Sequence, residues 1–305
     1  MTALIVEHST PLCSLQDGGR FGVRHLGITQ GGAADWVSMG WANWLLGNPL
    51  AAAVVEVTLG QFGLRAERDC HLALAGADLE ATVDGQHLLP WRSVHLRAGQ
   101  TLQFKGPRAG ARAYLAAPGG WLAPRVLGSC ATVARDRLGG LGGRGAALAA
   151  GDRLVYRGPA REPRQVAVAQ PPNISLAEPL QVVLGAQMAY FSGQSLFDAF
   201  DQTWVVDPRA DRMGVRLCGP RLHYQGPPMI SEGIPLGGIQ VPPDGQPIVL
   251  GNDRQTIGGY PRLGALAPAS LARLAQALPG DMLRLQPVVA EEARASHLRV
   301  LRQWA

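Results

Sequence analysis

Turn residues interrupt this sequence so often that it cannot be built from long helices. There are 39 glycines and 23 prolines in 305 residues. The stretches between them read as strands with tight turns. From about residue 53, apolar side chains recur at every second position. Examples are VVEVTLGQFGLRA (54–66), HLALAGADLEATVDG (71–85), SVHLRAGQTLQFKG (93–106), RLVYRG (153–158), LQVVLG (180–185), RMGVRLCGP (212–220) and MLRLQPV (282–288). This spacing predicts a mainly β fold. Three helices are expected around the strands. In 34–49, Asp35 is placed to cap the helix, Trp36, Val37, Trp41, Trp44 and Leu45 form one broad face, and Gly47-Asn48-Pro49 ends it. The other two are a short amphipathic helix at 269–278 and a C-terminal helix after residue 288.

Apolar residues make up 47% of the chain and charged residues 17%, enough for a sizeable core. Prolines cluster in 158-GPAREPRQVAVAQPPN-173, a linker candidate that divides the chain into units 1–165 and 166–305. The net charge of +5 is diffuse, with no basic stripe, so nucleic acid is not an expected partner. Cys13, Cys70, Cys130 and Cys218 lack zinc spacing, and no metal site is expected. No apolar run reaches the roughly 18 residues of a membrane span, and no basic segment leads into an apolar one, so a cytoplasmic protein is expected. The glycine-rich 139-GGLGGRGAA-147 reads as a mobile loop. It lacks the lysine-containing ending of a phosphate loop.

One stretch concentrates chemistry. In 247-PIVLGNDRQTIGGYPRLG-264 an apolar strand runs into Asn252, Asp253, Arg254, Gln255 and Thr256, then leaves through Gly258-Gly259 and Tyr260-Pro261. Arginine offers a planar fork for a carboxylate, Gln and Thr suit an amide or ureido group, and the glycines let backbone approach a ligand. A polar hairpin closed by an internal Asp–Arg pair accounts for the same residues. Three other glycine-rich bends carry acidic and polar groups: Asp17 and Arg20 in 14–22, Asp211 and Arg212 in 209–219, and Glu232 and Gln240 in 231–247. A site assembled from several loops would use all four. No serine-hydrolase elbow or metalloprotease motif is present.

The runs 14-SLQDGGRFGVRHLGITQGGAAD-35, 211-DRMGVRL-217, 231-SEGIPLGGIQVPPDGQPIVL-250 and 253-DRQTIGGYP-261 together resemble the biotin-dependent carboxyltransferase family. This family is also called allophanate hydrolase subunit 2 and includes the C subunit of bacterial 5-oxoprolinase. The resemblance implies two cyclophilin-like β-barrel units with a few peripheral helices. It also implies a place in a larger machine. One branch opens 5-oxoproline to glutamate with ATP, the C subunit working beside the A and B subunits. Another transfers a carboxyl group from carboxybiotin to urea. Some relatives are regulatory antagonists of a B subunit that resembles a kinase inhibitor. Lys105, the lone lysine, sits in FKGP and not in a biotin-carrier turn, so no covalently bound cofactor is expected. ATP is expected to be used by the complex. A free-standing 305-residue chain favours the 5-oxoprolinase branch.

Both chemistries must polarise a resonance-stabilised carbonyl beside an N–H. On this resemblance Arg254 and Gln255 would act on that carbonyl, and Asp253 or Glu232 would position or deprotonate water. Arg212 or Arg20 would clamp a substrate carboxylate. Asp17, Asp211, Gln240, Thr256 and Tyr260 would complete the substrate site.

Overall fold

The computed structural model describes residues 2–159 and 172–304, so most of the linker candidate, including the 165/166 boundary, lies outside the described residues. The chain forms two compact units. One comprises Met1–Gly22 and Gly31–Ile174, the other Val23–Gln30 and Ser175–Ala305. The fold is mainly β, as the period-two pattern predicts. The assignment of residues 23–30 to the second unit has no counterpart in that pattern.

The first unit holds two antiparallel sheets. One has the order Arg153–Tyr156, Thr2–His8, Phe62–Ala66, Thr101–Phe104, Ala81–Val83, Gln86–His87. The other has the order Ser14–Gln16, Val54–Thr58, Ala109–Ala116, Cys70–Asp78, Arg92–Leu96. Their facing side chains, among them Leu4, Val55, Val57, Phe62, Leu72, Phe104 and Leu115, make one core. Helix α1 (Trp36–Trp44) packs against the strands of the five-stranded sheet. Asp35 caps it, accepting from the Val37 and Ser38 amides at 3.0 and 2.9 Å. The helix is buried more widely than its aromatic stripe suggests. Ser38 through Asn43 are all buried, while Trp36, Val37 and Trp44 are only partly so. Six consecutive buried residues span every face of an α-helix, so α1 is enclosed on more than one side.

The second unit is built on an eight-stranded sheet: Met282–Leu283, Trp204–Val206, Gly214–Cys218, Ile248–Leu250, Gly238–Gln240, Arg262–Leu266, Leu180–Leu184, Leu285–Val288. The first and last strands of this order are separated in the chain only by Arg284. A sheet whose two edges are joined by one residue must curl back on itself, and it forms a nearly closed barrel. Leu217, Ile239, Val249 and Leu263 point into its core around the fully buried Trp204. Helices α2 (Gly193–Asp201), α3 (Pro268–Leu274) and α4 (Ala290–Leu301) lie among the described residues of this unit. Helix α2, capped by Ser192, was not expected from sequence.

Candidate functional site

Alternation along the barrel strands creates the candidate site. Because Val215, Leu217, Ile239 and Val249 face the core, their neighbours Gly214, Arg216, Gln240, Ile248 and Leu250 line the other face of the same strands. There they floor a pocket of about 380 Å³, with Arg209, Asp211, Met213, Gln255 and Tyr260 completing the walls. This volume lies within the roughly 300–1,000 Å³ span of small-molecule sites. Four expected site residues meet here: Asp211, Gln240, Gln255 and Tyr260. A neighbouring pocket of about 560 Å³ shares Tyr260 and is lined by Arg221, His223, Tyr224, Met229, Pro242 and Pro243.

Two of these side chains are already engaged. Arg209 donates to both oxygens of Asp207, at 2.9 and 2.7 Å. Asp211 accepts the Met213 and Gly214 amides at 2.8 and 3.0 Å, which fixes the turn entering the strand. Gln240, Gln255, Tyr260 and Arg216 make no side-chain hydrogen bond among the described residues, although Gln240 is only 2% exposed.

Next to the pocket wall, Asp253 accepts two hydrogen bonds from Arg212. The expected pair inside the hairpin, Asp253 with Arg254, does not form. Arg254 is 3% exposed and donates to the carbonyls of Ile234 (3.1 Å) and Gly251 (3.2 Å) and to Gln30 Oε1 (3.4 Å). Arg24 also donates to the Ile234 carbonyl, and to those of Gln255 and Thr256, at 3.1–3.2 Å. Burial, and then the charge on Arg24, push the Arg254 guanidinium down to about 9. It remains charged at neutral pH, held by backbone carbonyls. Glu232 is likewise engaged, by Arg262 at 2.6 Å and Gln187 at 2.9 Å.

Asp17 and Arg20 belong to the first unit and are buried there. Asp17 accepts from the Gly19 and Cys130 amides and from the Ser129 hydroxyl. Arg20 donates to the carbonyls of Val126, Ser129 and Ala131. The geometry gives this pair the task of tying a loop, and its polar atoms face protein. The Cys130 thiol is pushed up to about 12 by burial and then by Asp17, which keeps it unreactive. The glycine-rich segment 139–147 also differs from expectation. Gly140 donates to Cys130 and Gly145 to Gly139, so the segment is stitched against the same loop. Among the described residues, no group of three or more His, Cys, Asp or Glu could hold a metal, and no helix is long and apolar enough to cross a membrane.

Comparison with known proteins places this architecture. Residues 26–287 match the model for a carboxyltransferase domain, subdomains A and B. The chain belongs to this carboxyltransferase family. Two relatives, each named as the C subunit of 5-oxoprolinase, are similar across almost their whole length. The one from Escherichia coli is 36% identical and the one from Haemophilus influenzae 34%, each over 92% of this chain and 89% of the relative. The urea amidolyase of Kluyveromyces lactis superposes with a TM-score of 0.91 at 25% identity, covering 99% of this chain and 20% of that one. This chain therefore spans about a fifth of that solved protein.

Among these carboxyltransferase residues, 211–217, 231–250 and 253–261 are the segments that wrap the pocket. Sequence reasoning missed Arg216, and with it the supporting Arg24, Gln30, Gln187 and Arg262. Arg216 left a usable signal. It stands one residue from both Val215 and Leu217, so it must lie on the face those two avoid.

Proposed function

We propose that this chain is the C subunit of an ATP-dependent 5-oxoprolinase, acting in the cytoplasm with the A and B subunits to open the 5-oxoproline lactam to glutamate. The observation carrying this reading is the near-full-length similarity, on both sides, to relatives bearing that name. The pocket agrees with it in size and chemistry. It offers amide, phenol and guanidinium groups beside the apolar side chains of Ile248, Leu250 and Met213, as a small ring with a polar edge requires.

In this reading the chain's own residues bind and orient the lactam. Gln240 and Gln255 are the donors available to its carbonyl oxygen as negative charge develops there. The Arg212–Asp253 pair and the Arg254 anchor hold the loop that carries Gln255. ATP supplies the driving force for ring opening, and this chain takes no cofactor covalently. A second reading, a carboxyltransferase component of a split biotin enzyme, draws on the likeness to urea amidolyase.

The test is glutamate release from 5-oxoproline by the reconstituted A and B subunits with this chain, ATP being present or withheld. Release that needs both ATP and this chain is expected. Release unaffected by omitting the chain would sink the proposal. Co-purification from the native host separates the readings: the A and B subunits support the first, and a biotinylated carrier supports the second.

A further inference from the structure

We infer that Arg216 binds the carboxylate of the pocket's ligand and that Gln240, with Gln255 beside it, reads the ligand's planar amide. This deepens the 5-oxoprolinase reading and rests on it for the ligand's identity. The assignment starts from which arginines are available. Arg209 is held by Asp207, Arg212 by Asp253 and Arg262 by Glu232, while Arg24 and Arg254 reach backbone carbonyls and do not line the pocket. Arg216 lines the pocket and has no side-chain partner among the described residues. A planar fork without a protein partner is suited to a carboxylate.

Gln240 adds an independent observation. This residue is 2% exposed as a whole and its carboxamide has no partner among the described residues, but its polar atoms are not sealed off, so they open onto the pocket they line. Gly258 lets this amide pack close against the backbone. A Cβ at that position would sit 3.0 Å from Gln240 Nε2, 3.5 Å from Gln255 Nε2 and 2.8 Å from Ile234 Cδ1. A lactam carries its N–H and C=O on the same edge of the ring. One primary carboxamide can answer both with a donor and an acceptor, as it cannot for an open trans amide. Asp211 sets the charge limit. With one unpaired guanidinium and one carboxylate at the pocket, a monoanion is matched better than a phosphate. The ligand class is a small cyclic amide bearing a single acid group.

The full chain should be titrated calorimetrically with 5-oxoproline and with 2-pyrrolidinone, which is the same lactam without the acid. Arg216→Met should weaken 5-oxoproline by about tenfold or more and leave 2-pyrrolidinone within about twofold, as expected for loss of one charge-assisted pair. Gln240→Met should weaken both. Arg216→Lys, which keeps the charge and loses the fork, should fall between wild type and Arg216→Met, and it serves if the methionine variant melts early. In the reconstituted complex, Arg216→Met should raise KM about tenfold with kcat changed far less. Equal 5-oxoproline affinity and KM in wild type and both Arg216 variants would overturn the assignment even if the complex turns over. No binding of either compound by the chain, together with an unchanged KM, would overturn it as well. If the complex releases no glutamate but the chain binds 5-oxoproline through Arg216, the activity reading fails and the pocket assignment stands.

Discussion

Arg212 grips Asp253 with two parallel hydrogen bonds, 2.9 Å from Nε to Oδ2 and 3.0 Å from Nη2 to Oδ1. The Asp253 amide returns a bond to the Arg212 carbonyl at 3.0 Å. Two segments 41 residues apart are therefore fastened by main chain and side chain at one point. The pair stands beside the pocket, and its work is to hold the Gln255 loop.

Breaking that fastening should cost stability before it costs chemistry. Asp253→Asn leaves a mostly buried guanidinium with a weakened partner and should lower unfolding free energy by about 3 kcal/mol. A urea-denaturation cycle with Arg212→Met and the double variant should give a coupling energy of about 1 kcal/mol or more. Additive effects would show that the two residues act separately.

Arg254 separates an anchoring role from a catalytic one. Arg254→Met removes donors to two carbonyls and Gln30, and a loss of about 2–3 kcal/mol in urea melts is expected. If the guanidinium also acts in the transition state, glutamate release by the folded variant should fall about 10²-fold. A fall of tenfold or less would confine Arg254 to anchoring.

Gly258→Ala tests how closely the two glutamine amides are fitted. Its methyl meets the ends of side chains and not backbone, so the melting temperature should move by a few degrees at most. The displaced amides should lower kcat/KM by about tenfold, because small misplacements of positioning groups are costly. Unchanged kinetics would show that the amides do not touch substrate.

Acid should unfold the barrel partly through Asp207. The side chain and backbone N–H of Arg209 hold this carboxyl below the ordinary carboxylate range in the folded chain. Its folded pKa is lowered, so its stabilisation is present above the unfolded value of about 4 and is lost as pH falls below it. Asp207→Asn should flatten the stability–pH curve below about pH 4, as read by thermal melts. A curve as steep as that of wild type would remove Asp207 from the acid response.

Much of the scaffold could be read from residue order, because capping and alternation are local. Asp35 with the run behind it announced α1, and the period-two segments announced the sheets. What failed was information that only packing supplies. Helix α2 escaped because GQSLFDAFD is short and mixes Ser, Asp and Phe, which fit turns and strands as well. The five polar residues 252–256 pointed to the right loop, but Asp253 pairs with distant Arg212 and not with adjacent Arg254. Arg216 looked like an ordinary strand residue until its neighbours were seen to be paired and it was not. The glycines at 139–147 suggested freedom. At Gly139, with φ of +68°, they instead allow close approach to the Ala131 carbonyl and the Arg20 guanidinium.

The single-residue step at Arg284 between the barrel's two outermost strands has a consequence for biosynthesis. Until residues 282–288 leave the ribosome, Trp204–Val206 and Leu180–Leu184 each lack a neighbour and present bare hydrogen-bonding edges to the cell. The segment 23–30, made long before them, must wait for residues 282–288 to emerge before its own unit is whole. A nascent chain stalled near residue 280 would be a sticky, half-zipped cylinder and a natural client for chaperones.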